Sequence, residues 1–90
     1  MDVVKHAVAG TMESSDIFLE VSPSSQGIDI ELSSIVMHQF GDAIKQVIIE
    51  TLAQMQVKNV HIRANDRGAL DCVIRARLET ALLRCAKEAE

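Results

Sequence analysis

Ile28-Asp29-Ile30-Glu31-Leu32 alternates without a break, three aliphatic side chains to one side and two carboxylates to the other. A period of two over this length is the pattern of a strand with one buried face. Just beyond it, Ser33 and Ser34 offer hydroxyls that can cap a helix. Val36, Phe40, Ala43, Ile44, Val47, Ile48 and Leu52 then recur at helical spacing, which predicts a helix running to about Met55. Val57 to Ala64 returns to alternation, with Val60, Ile62 and Ala64 inward and Asn59, His61 and Arg63 outward. A strand, a helix and a second strand can close as a parallel pair through a crossover. If the two strands are neighbours, His61 and Arg63 stand opposite Asp29 and Glu31 on a solvated, mixed-charge face.

Working outward, Ile17-Phe18-Leu19-Glu20-Val21 also alternates and reads as a strand. The turn formers Ser22-Pro23-Ser24-Ser25-Gln26-Gly27 follow it. This predicts an antiparallel hairpin between the first two strands, with a long loop. Downstream, Asn65-Asp66-Arg67-Gly68 is a turn, and a last helix spans about Ala69 to Lys87. Its stripe is Leu70, Ile74, Leu78, Leu82 and Cys85, with Val73 and Ala81 beside it. Residues 1–15 show no helical stripe and read as a flexible or extended arm, leaving residues 16–90 as one compact domain. The expected fold is an α+β two-layer sandwich of order β-β-α-β-α, a three-stranded mixed sheet covered on one face by two helices.

Composition narrows the function. The chain has 90 residues, enough for one small domain and too few to enclose a large cofactor in a deep pocket. Nine Lys and Arg stand against thirteen Asp and Glu, for a net charge of −4. That balance lacks the footprint of a nucleic-acid binder. Phe18 and Phe40 are the only aromatics, which argues against base stacking. No apolar run approaches the length of a membrane span and the N-terminal residues lack a signal-peptide pattern, so no membrane role and a cytoplasmic location are expected.

Internal chemistry is sparse. His6, His38 and His61 are scattered, and no metal spacing, phosphate loop or dinucleotide motif occurs. Cys72 and Cys85 on one helix would lie about 20 Å apart, beyond disulfide reach. An enzyme built on Asp29 or Glu31 with His61 is the only catalytic grouping the pattern suggests. The other distinctive feature is a run of hydroxyls on small residues, Gly10-Thr11 and Ser14-Ser15-Asp16, ahead of the first strand. A serine there can accept a phosphodiester, but with no base beside it in sequence it needs a separate transferase. Glu13 and Asp16 read as solvating turn residues.

Three stretches carry a resemblance: Ala7-Val8-Ala9-Gly10-Thr11-Met12-Glu13-Ser14-Ser15-Asp16, Gln39-Phe40-Gly41-Asp42-Ala43-Ile44, and Asp66-Arg67-Gly68-Ala69-Leu70-Asp71-Cys72-Val73-Ile74-Arg75-Ala76-Arg77-Leu78-Glu79. Together they span nearly the whole chain, which resembles the acyl carrier (gamma) subunit of citrate lyase. The resemblance implies a non-catalytic carrier subunit. It implies a covalent 2'-(5''-phosphoribosyl)-3'-dephospho-CoA group on Ser14, with Ser15 the nearest misassignment. The group would hold acetyl and citryl thioesters while citrate is cleaved to oxaloacetate and acetate. Implied partners are an alpha subunit (acyl transferase), a beta subunit (citryl lyase) and a prosthetic-group transferase. A malonate decarboxylase carrier and a non-covalent assembly subunit are the alternatives. The helical fatty-acid carrier fits poorly, since no Asp-Ser-Leu occurs and strands are expected.

Overall fold

The computed structural model describes residues 1–86, with the side chains of Met37 and His38 excepted. Lys87, the expected end of the last helix, lies outside them. The elements are β1 (Ala7–Gly10), β2 (Ile17–Ser22), β3 (Ile28–Ser34), α1 (Met37–Gln54), β4 (Val60–Asp66) and α2 (Asp71–Cys85). The sheet therefore has four strands rather than three, and the order is β-β-β-α-β-α. The additional strand, β1, comes from the segment read as an arm. Ala7-Val8-Ala9-Gly10 is too short and too poor in large side chains to give an alternation signal, and only Ala9 of the four is buried.

The strand order β1-β2-β4-β3 also corrects the expected hairpin. β2 does not pair with β3. Its antiparallel partners are β1 and β4, and β4 lies between β2 and β3. The long connection between Ser22 and Ile28 lets the chain skip one strand position, which β4 later fills. β3 and β4 are parallel through α1, and their register places Asp29 beside His61 and Glu31 beside Arg63. That pairing is the one the alternation implied.

The core lies between the sheet and the two helices. Ile17, Leu19 and Val21 of β2 and Val60, Ile62 and Ala64 of β4 are buried. They meet Ile44, Val47, Ile48 and Leu52 of α1 and Ile74, Leu78, Ala81, Leu82 and Cys85 of α2. Thr51 is buried as well, and its hydroxyl donates to the Val47 carbonyl at 2.8 Å, so no orphan is left. The first turn of each helical stripe departs from expectation. Phe40 is 52% exposed and Leu70 69% exposed.

Two features fix the connection between β1 and β2. Gly10 has φ +90°, and an added Cβ would collide with the Ile17 carbonyl oxygen. At the other end, Asp16 reaches across to α2. Arg77 donates from Nε to Asp16 Oδ1 at 3.1 Å and from Nη2 to Oδ2 at 2.9 Å. Oδ1 also accepts the Ile17 N–H at 2.8 Å, and Oδ2 accepts the Thr11 hydroxyl at 2.7 Å. The Arg77 hydrogen bond outweighs desolvation and, with Thr11 and Ile17, holds the Asp16 carboxyl down at about 2.

Two outcomes follow from this anchoring. Gly10→Ala should lose more than about 2 kcal/mol in urea unfolding, because it meets both a disfavoured φ and a backbone collision; a loss below about 0.5 kcal/mol would show that the loop does not close on β2. For Asp16, a folded pKa below the unfolded value means stabilisation that is full above about pH 5 and fades as pH falls toward about 2. Allowing for the 42% exposed Arg77 side chain, it amounts to about 1–2 kcal/mol. Arg77→Gln should therefore cost that much near neutral pH and almost nothing near pH 2; an equal gap at both pH values would place the effect elsewhere.

Candidate functional site

The connection between β1 and β2 is a short, closely bonded loop. The Asp16 N–H donates to the Glu13 carbonyl at 3.2 Å, closing a four-residue turn. Ser15 has φ +64°, the left-handed region at the third position, as a type II turn requires. Ser14 sits at the second position, the corner. Thr11 bonds at both ends of the loop, its hydroxyl donating to Asp16 and accepting the Glu13 N–H at 3.1 Å.

The loop is also joined to the turn after β4. The Ser15 N–H donates to the Arg67 carbonyl, and the Arg67 N–H donates to the Asp16 carbonyl, both at 2.8 Å. Two residues thus face one, which is a β-bulge whose left-handed residue is usually glycine. Here Ser15 fills it. On the opposite strand, Asp66 is fully buried and organises the turn that follows. Its carboxylate accepts the Ser34 hydroxyl at 2.8 Å, the Gly68 N–H at 3.1 Å and the Ala69 N–H at 3.0 Å.

Ser14 and Ser15 are both exposed, but they are not equivalent. The Ser15 backbone is committed to the bulge and carries left-handed strain. Ser14 has no such strain, and among the described residues its hydroxyl makes no hydrogen bond. Of the two carboxylates flanking Ser14 in sequence, Glu13 is exposed and Asp16 is committed elsewhere, so Asp16 cannot serve Ser14 as a base. All four of its acceptor positions are filled, and its carboxyl is held too low to take a proton near neutrality. The Asp16–Arg77 pair was missed in the sequence, where Asp16 read as a solvating residue. Its partner lies 61 residues away, and no local pattern links them.

The other charged grouping is on the open face of the sheet. His61 Nδ1 lies 2.9 Å from Asp29 and Nε2 lies 3.5 Å from Glu31. Arg63 lies 3.4 Å from Glu31 and 3.8 Å from Glu20. Asp29 and Glu31 are about two-thirds exposed, and each faces a basic side chain across the strands. This is a solvated cross-strand ladder, not a paired acid and base in a cleft. Among the described residues, no group of three His, Cys, Asp or Glu side chains is placed to hold a metal ion, and no helix is long and apolar enough to cross a membrane. Cys72 is exposed and Cys85 buried, and burial pushes the Cys85 thiol pKa up.

Comparisons with known proteins place the chain among relatives. Residues 4–85 match the family described as "Malonate decarboxylase delta subunit (MdcD)", an acyl carrier family. A citrate lyase acyl carrier protein of Halothermothrix orenii is 57% identical over 90 residues, covering all of this chain and 96% of the relative. Citrate lyase acyl carrier protein 2 of Salmonella typhimurium is 48% identical over 91 residues, covering all of this chain and 94% of the relative. A chain in the crystal structure of a Pseudomonas malonate decarboxylase hetero-tetramer in complex with malonate superposes with a TM-score of 0.81, covering 93% of this chain and 87% of that one. At 23% identity that likeness concerns the fold alone. Relatives at 46% to 57% identity span this chain from end to end, and it belongs to the citrate lyase acyl carrier protein family.

Proposed function

We propose that this chain is the acyl carrier subunit of a citrate lyase and bears 2'-(5''-phosphoribosyl)-3'-dephospho-CoA on Ser14 through a phosphodiester. One observation carries the assignment to Ser14: an unbonded, exposed hydroxyl at the corner of a turn whose neighbours are all fixed. The loop residues suit such a group. Ser14 is open to solvent on the side where a diester would stand. The turn bonded to the loop supplies a cation, Arg67, whose Nε is buried without an acceptor.

When bound, the group supplies the thiol that carries the acyl unit on a long arm. The chain's own residues do simpler work. Asp16 and Arg77 hold the loop on α2, the Ser15 bulge joins it to β4, and Ser14 is thereby presented outward. A tether anchored at a fixed point keeps the acyl unit at high effective concentration near its partners. Those partners are the alpha subunit as acyl transferase and the beta subunit as citryl lyase. This reading assigns the loading base to a separate transferase: Asp16 is fully engaged, and Glu13 is exposed to solvent rather than enclosed with Ser14.

A malonate decarboxylase carrier is the second reading, favoured by the family description. The full-length identities to citrate lyase carriers favour the first. The chain made beside its native partners should show the added group in its intact mass, mapped to the peptide containing Ser14. Ser14→Ala should fold normally and carry no group. Ser15→Gly should still be loaded and should gain about 0.5–1 kcal/mol, because glycine adopts the left-handed region without strain. A Ser14→Ala chain that is still loaded, or a Ser15→Gly chain that is not, would remove Ser14 from this role.

A further inference from the structure

The turn between β4 and α2 holds a donor that the fold leaves without an acceptor. Arg67 Nε is buried and has no hydrogen-bond partner, and the Arg67 guanidinium makes no ion pair among the described residues. An unpaired N–H of a cation is costly to bury, so its persistence calls for a reason. The other arginines with described partners are committed elsewhere: Arg77 to Asp16, Arg63 to Glu20 and Glu31, and Arg84 to the Val8 carbonyl.

The position of Arg67 is specific. Its main chain bonds on both sides to the loop, to the Ser15 N–H and to the Asp16 carbonyl, each at 2.8 Å. Strands bonded this way lie about 5 Å apart, and an extended arginine stem reaches roughly 6 Å from its Cα. This pairing sets the turn that bears Arg67 alongside the loop that bears Ser14. The local charge demands such a partner. Glu13, Asp66 and Asp71 surround the loop and its bonded turn, while Asp16 is already neutralised by Arg77. A phosphodiester on Ser14 would add another negative charge to that surplus, and Arg67 is the cation of that turn.

We propose that Arg67 is the residue that receives the phosphodiester formed on Ser14, an inference that rests on the reading of Ser14 as the bearer. Loading gives the guanidinium the acceptors that the unloaded fold lacks. The fork geometry of arginine suits two diester oxygens, and the contact orients the first bonds of the arm as it leaves the turn.

The test uses the full chain loaded by its own partners, with peptide mapping done first. In the wild-type chain, the side-chain Nε–H resonance of Arg67 should move downfield on loading. The Tm should rise by at least roughly 4–8 °C, the scale of one ordinary net hydrogen bond in a domain of this size. In Arg67→Gln, the unloaded chain should unfold no earlier than wild type, the rise on loading should vanish, and the 31P line of the diester should sharpen. Arg67→Lys should restore part of the rise, since it keeps the charge without the fork. A loaded Arg67→Gln chain with the full rise and an unchanged 31P line overturns the proposal. So does a wild-type Arg67 Nε–H resonance that stays in place, a measurement that needs no variant to load. Mapping separates the two ideas: a diester found on another residue sinks both, while Ser14 loaded with Arg67 indifferent sinks only this one.

Discussion

The bidentate contact between Asp16 and Arg77 is the constraint on which the presentation of the loop depends. Two hydrogen bonds of 2.9 and 3.1 Å join the end of the loop to the middle of α2. The Asp16 side chain is only 12% exposed, so its charge needs matching, and Arg77, Thr11 and the Ile17 N–H match it. The ion pairs on the open face differ in kind. They are mostly longer than 3.3 Å and lie among side chains that water reaches, so screening leaves each of them worth little. Of the two charged groupings, the one beside the loop therefore carries the energy.

A fixed anchor suits a mobile cargo. On the proposed reading, the arm would supply the range of motion that separate partners require, with its reach set by its own length. A floppy loop beneath such an arm would add conformations to be frozen whenever a partner docked on the loop, and each frozen degree of freedom weakens binding. The fold instead meets that ordering cost once, during folding. Gly10 turns the chain tightly out of β1, Thr11 spans the loop, and the bulge at Ser15 continues the β2–β4 ladder beyond the last formal pair, Ile17 with Asp66.

The β3–α1–β4 unit was legible because its side chains are large and their periods clean, and even the pairing of Asp29 with His61 followed from alternation. β1 was not legible. Four small residues bury too little to impose a pattern, and the strand is made by its neighbours: β2 pairs with it and α2 packs over it. The hairpin expectation failed because sequence adjacency favours neighbouring strands, whereas the long Ser22–Ile28 connection leaves room for β4 between them. Phe40 and Leu70 hold the right spacing for a core but stand at the N-terminal ends of the helical stripes, Phe40 in the first turn of α1 and Leu70 just before α2, and both are exposed. Ser14 was marked by a short family pattern, while Asp16 and Arg77 carry no local trace of a contact that spans the chain.

The two neighbouring hydroxyls show how backbone geometry separates residues that composition treats alike. Ser15 takes the left-handed conformation that the turn and the bulge both need, and its N–H is used in the bulge. A bulky group on Ser15 would grow from the most constrained backbone point of the loop, where the N–H is bonded to the Arg67 carbonyl. Ser14, one residue earlier, occupies the corner, where a turn leaves its side chain free of the strands on either side. The left-handed conformation at Ser15 thus costs the fold some stability while it closes the turn whose corner is the exposed Ser14.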